Sequence, residues 1–152
     1  MRAIRDPGTM TSLDVARYIL ERKGSMTAMK LQKLVYYAQA WSTVWDERTL
    51  FRSKIEAWAN GPVVHQLYSH HRGKFKVSVA DIPGDLRKVD AKARETIDAV
   101  LKYYGEKPAY WLSQLTHQEA PWRDARQGVP AGVRSSVEIK PAALQEYYSS
   151  LV

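Results

Sequence analysis

The sequence predicts a mainly α fold: a single compact helical domain with at most a small β-hairpin around residues 50–58. Three observations carry this. Apolar residues recur with the 3.6-residue period of a helix in several segments. Most of those segments open on a capping residue and close on Gly or just before Pro. Only residues 50–58 break into the short apolar pieces expected of strands. The chain has 152 residues, the size of one domain. Its hydrophobic content of 45% is too high for a disordered chain. The expected division is a flexible N-terminal tail over residues 1–10 and one domain over residues 11–152.

The elements are taken in chain order. Pro7-Gly8 separates the tail from the first helix. Thr11 or Ser12 caps that helix, Leu13, Ala16, Ile19 and Leu20 give it an apolar stripe, and Gly24 stops it. A second helix runs from about Thr27 to Trp45. At ~100° per residue, Leu31, Leu34, Val35, Tyr37, Ala38, Trp41, Val44 and Trp45 fall on one wide arc, so this helix should be central. Gln32, Lys33, Gln39 and Thr43 fall on the remaining face. Leu50-Phe51 and Ile55–Trp58 are the hairpin pieces. Asn60-Gly61-Pro62 marks a sharp turn, with a short helix carrying Val63, Val64, Leu67 and Tyr68 after it. Residues 70–76 read as an exposed basic loop. Asp90 caps a fourth helix that Gly105 ends, and Pro108 opens a fifth that closes before Pro121. Residues 122–127 form a short helix, residues 128–136 a loop of small residues, and Pro141 starts a last helix with Leu144, Tyr147 and Tyr148.

Several function classes are excluded. With no cysteine, thiolate metal sites, disulfides and cysteine nucleophiles cannot form. No apolar run is long enough for a membrane-spanning helix, and no secretory signal is seen. The expected compartment is therefore the cytoplasm. His65, His70, His71 and His117 have no metal-ligand spacing, and no G-x-S-x-G or phosphate-binding Gly-rich motif occurs. No catalytic residue, metal or cofactor is assigned.

Partner binding is the remaining reading. The net charge of +7 lies in the first two-thirds of the chain and suits an anionic partner, whether acidic protein or nucleic acid. Nucleic acid is the less favoured of the two. The second helix spends its surface on Leu and Trp, where a recognition helix needs base-reading side chains. Five Trp and nine Tyr are many for this length. Neighbours on a helix point ~100° apart, so pairs such as Tyr36-Tyr37 and Tyr147-Tyr148 must reach either a second packing layer or a binding surface.

Three segments carry a resemblance. Met29-Lys30-Leu31-Gln32-Lys33-Leu34-Val35-Tyr36-Tyr37-Ala38-Gln39-Ala40-Trp41 resembles the K-L-Q-K-L-x-Y-Y-x-Q-x-W signature of the Panacea domain, the antitoxin domain also described as GepA-like phage-associated or SocA-like. Leu50-Phe51, Ile55 to Trp58, Gly61-Pro62-Val63 and Leu67-Tyr68 are similar to its second signature. Thr116-His117 and Pro121-Trp122 are similar to its third. The resemblance implies a bacterial or phage antitoxin that neutralises a cognate toxin by direct contact. It leaves the toxin and the oligomeric state open. The alternatives are a DNA- or RNA-binding regulator, and an adaptor that presents the bound toxin to a protease.

Within the signatures, Leu31, Leu34, Tyr37, Trp41, Trp58, Val63, Leu67, Tyr68, Pro121 and Trp122 are expected to be structural, and Gly61 and Pro62 to set backbone geometry. Thr116 and His117 end a helix, where hydroxyl and imidazole can satisfy loose backbone groups. Lys30, Gln32, Lys33 and Gln39 are harder to explain by packing. With Tyr36 they are the candidates for a polar network or a partner-binding surface.

Overall fold

The computed structural model describes residues 10–152. The expected tail lies outside the described residues except for Met10. Met10 is buried against the core rather than free.

Helix α1 (Ser12–Lys23) starts where Thr11 was expected to cap it. The Thr11 N–H donates to Asp14 Oδ2 at 2.8 Å, and Gly24, at φ +84°, closes the helix through its own N–H. Asp14 is buried, and its other oxygen accepts from the Asp85 N–H at 2.7 Å. Strand β1 (Met26–Thr27) leads into α2 (Ala28–Trp45), whose first turn is capped by the Thr27 hydroxyl accepting from the Lys30 N–H.

Helix α2 is central, and more completely than its apolar arc predicts. Every residue from Leu31 to Thr43 is buried. The polar face holding Gln32, Lys33, Gln39 and Thr43 was expected to lie opposite the core, and it is buried too. The reason is tertiary: helices and the hairpin surround α2, whereas a sequence arc describes only its apolar side. Trp45, at the end of the arc, is 47% exposed.

Strand β2 (Ile55–Trp58) pairs antiparallel with β3 (Gly61–Val64) through the two-residue turn Ala59-Asn60. The expected hairpin was misplaced: Leu50-Phe51 is not a strand, and the second strand lies where a helix was predicted to begin. Pro62 is compatible with this because β3 is an edge strand, and an edge can tolerate a missing N–H. Helix α3 (His65–His71) therefore starts later than expected. His70 and His71 close that helix, and Lys76 opens β4 (Lys76–Val77), which pairs with β1. The basic loop shrinks to residues 72–75.

Two 3₁₀ turns, Val79–Asp81 and Leu86–Lys88, carry the chain to α4 (Ala91–Tyr104). Asp90 caps α4 and also accepts two hydrogen bonds from the Arg48 guanidinium. Helices α5 (Ala109–Gln118) and α6 (Ala120–Ala125) come next, α6 two residues earlier than expected. After the 128–136 loop comes an unexpected third strand, β5 (Glu138–Ile139), on the free side of β2. The chain then forms α7 (Pro141–Ser149), which packs along α2 with Leu144 and Tyr148 buried.

Candidate functional site

Two turns apart on one face of α2, Gln32 and Gln39 each grip a stretch of main chain. Gln39 Oε1 accepts from the Leu50 N–H at 2.6 Å while its Nε2 donates to the Phe51 carbonyl at 2.9 Å. Gln32 treats the outer edge of β3 in the same way. Its Oε1 accepts from the Val64 N–H at 2.7 Å, and its Nε2 donates to the Val64 carbonyl at 3.2 Å. A side-chain amide presents an acceptor beside donors, so it substitutes for a neighbouring strand. Between these grips, Lys33 Nζ donates to the Pro62 carbonyl at 3.2 Å. The edge of β3 is thus sealed by α2.

The hairpin turn is held from its other side by α5 and α6. Ser113 Oγ donates to the Asn60 carbonyl at 2.7 Å, and His117 also bonds the Asn60 main chain. Trp122 Nε1 donates to the Trp58 carbonyl at 2.8 Å, and Arg126 Nη1 to the Ala57 carbonyl at 3.1 Å. The His117 and Trp122 rings stack at 4.1 Å. The Thr116 hydroxyl donates to the Ser113 carbonyl one turn back in its own helix. Gly61 is the point where the two sides meet. It has φ +124°, and any Cβ there would strike Lys33 and crowd Thr116.

A cleft of about 340 Å³ opens between the start of α2, the hairpin, α3 and the 128–136 loop. Met29, Trp58, Val63 and Tyr68 form apolar walls, and Gln32, Lys33 and His71 form the floor. Trp58 and Tyr68 meet edge to face at 4.7 Å. Arg134 stands at the rim on a loop that Arg126 anchors through the Pro130 and Val133 carbonyls. Lys33 is 2% exposed, and burial pulls its ammonium down to about 8. Burial also lowers His71, and the Lys33 charge adds to the effect. The same two causes, with Arg126, lower His117.

These interactions join the three signature segments of the sequence, and comparison with known proteins agrees with that grouping. Residues 31–123, more than half of the chain, match the model of the family described as Antitoxin SocA-like, Panacea domain. The chain belongs to this family. It is also similar to the Antitoxin SocA of Caulobacter vibrioides (strain NA1000 / CB15N), at 28% identity over 134 residues, covering 78% of this chain and 71% of that protein. No solved structure matches it significantly.

Burial separates the five partner-binding candidates of this Panacea domain. Gln32, Lys33, Tyr36 and Gln39 are buried, Gln32 and Lys33 at the floor of the cleft. Gln32, Lys33 and Gln39 form the polar network that was the alternative. They are inside because main-chain groups of the hairpin and the Leu50-Phe51 segment need partners there. Lys30 alone is partly exposed. Tyr36 belongs to a second network. Its hydroxyl meets the Tyr148 hydroxyl at 3.0 Å, and Tyr148 and Tyr37 both donate to Glu119 Oε1, at 2.7 and 2.8 Å. Burial raises the Glu119 carboxyl, and the two tyrosine hydrogen bonds oppose that shift. Tyr37 stacks on Tyr104 at 4.1 Å, and Tyr104 accepts from Trp41 Nε1. Much of the aromatic surplus is therefore a second packing layer. Tyr103, Tyr110 and Trp45 remain exposed.

Sequence reasoning missed Ser113, Arg126 and Glu119 because each acts on a main-chain atom or a distant tyrosine. It took His71 for a surface group, whereas His71 is buried with Nε2 2.9 Å from Gln32 Nε2. The position of Glu119 directly between two short helices, just before Pro121, was the available signal.

Proposed function

We propose that this Panacea domain acts as an antitoxin that neutralises one cognate toxin by binding it directly. The supporting observation is the family match together with what its signature residues do: they hold a hairpin rigid and line an open cleft, as a recognition scaffold would. A single domain over residues 11–152 and a cytoplasmic site of action belong to the same reading. The exposed rings of Tyr103 and Tyr110 add area of the kind that protein partners bury.

The test is co-expression with the product of the neighbouring gene. Growth should be rescued and the two proteins should co-purify as a complex. Rescue with no complex detectable at micromolar concentration would replace this reading with an indirect one, through transcription or chemistry on the toxin's product.

A further inference from the structure

The cleft holds basic groups without a counter-ion. Among the described residues lining it there is no Asp or Glu, while Lys33 lies in the floor and Arg134 at the rim; His71 adds no charge, because its Nε2 accepts from the Gln32 amide. Lys33 is the informative one. It is almost wholly buried, and among the described residues its one acceptor is the Pro62 carbonyl. An ammonium carries three N–H groups, so two are left over. Keeping such a charge away from water costs several kcal/mol unless something anionic compensates it. Gln32 cannot serve, since its oxygen is used by Val64 and its nitrogen by Val64 and His71.

The walls supply the second half of the specification. Met29, Trp58 and Tyr68 form an apolar slot above the lysine, with Trp58 and Tyr68 already fixed edge to face. The best-fitting occupant therefore has two parts, a carboxylate for the floor and an apolar body for the walls. An internal Asp or Glu brings the charge without the body. A hydrophobic residue at the end of a polypeptide brings both.

Building on the reading that a toxin is bound directly, we infer that the cleft receives the toxin's C-terminal residue, its free carboxylate on Lys33 and its hydrophobic side chain between Met29, Trp58 and Tyr68. Arg134, exposed at the rim, draws the negative terminus in and then lies beside it.

The first arm of the test uses the isolated chain. N-acetyl-phenylalanine is titrated against ¹⁵N-labelled protein beside N-acetyl-phenylalaninamide, which has the same body without the charge. The acid should shift the amide signals of Met29, Val63 and His71, and the amide should bind more than about tenfold more weakly. Lys33→Gln should erase the difference. Arg134→Gln, on the exposed loop, should weaken the acid with no change in melting temperature, and it carries the test if Lys33→Gln does not fold. Equal binding of acid and amide, or no binding, overturns the site.

The second arm uses the neighbouring gene's product, with its native C-terminus and with a short polar extension. Extension should weaken the complex by more than about tenfold, and the acid probe should compete with the native form. A complex indifferent to both overturns the occupant and leaves direct binding standing. No complex at all, with the acid probe still bound, overturns direct binding and the occupant with it.

Discussion

Lys33 and Gly61 occupy adjoining space so tightly that a Cβ on Gly61 would lie 2.6 Å from Lys33 Cε and 3.1 Å from its Nζ. The lysine can cross the hairpin to reach Pro62 because residue 61 has no side chain. Its φ of +124° independently favours glycine.

Gly61→Ala should therefore destabilise the domain by about 2–4 kcal/mol, from backbone strain and overpacking together. In a Lys33→Ala background most of the steric share disappears, the Thr116 contact remaining, and the backbone share stays. Urea unfolding of the wild-type protein and the three variants should show a coupling of about 1 kcal/mol or more. A coupling near zero would assign the whole cost to the backbone.

Gln39→Leu removes all three hydrogen bonds to the Leu50-Phe51 segment while roughly keeping the volume. Leu50 and Phe51 are themselves buried, so water cannot replace the lost partners without opening the structure. The expected loss is about 2–4 kcal/mol, mainly from the Leu50 N–H and the Phe51 carbonyl, with a smaller share from the long Phe51 N–H contact. The urea midpoint measures it, and hydrogen exchange at the Leu50 amide should accelerate with it.

Lys33 should give the stability a rise on the alkaline side. Its folded value, about 8, lies below the ordinary 10.5, so between these values the unfolded chain binds more protons. Stability then increases with pH across that window. The cost of the buried charge, about 3 kcal/mol, is fully present below pH 8. The rise should be read between pH 8 and 10, because above 10 the buried tyrosines, whose values are raised, act in the opposite direction. His71 and His117, both lowered from 6.5, are already neutral in that range. Lys33→Met should lack the rise in urea titrations at successive pH values. A parallel rise in the variant would place its origin elsewhere.

How much of the fold and of the cleft was legible depends on what each residue answers to. Thr11, Thr27, Asp90 and Gly24 mark helix ends by local chemistry, and the helices begin or end at them as read. The apolar period of α2 likewise depends on its own residues. Gln32, Lys33 and Gln39 answer to main-chain groups 12 to 32 residues away, and an isolated polar residue on a helix carries no mark of such an acceptor. Pro62 suits a helix start and an edge strand equally, so locating β3 required knowing that α2 closes its outer edge. Strand β5 has two residues, too few for an alternating pattern.

The network around Glu119 has a consequence for where this domain can be cut. Residues 31–123 carry the family match, yet Tyr148, one of the two hydroxyls donating to that carboxylate, comes from α7 near the end of the chain. Helix α1 and strand β5 also lie outside the matched stretch, and both contribute to the core. A fragment trimmed to the recognisable stretch would expose the flank of α2 and leave a buried carboxylate half compensated. During synthesis, the Glu119 carboxylate acquires its Tyr148 partner only once α7 has emerged and packed on α2.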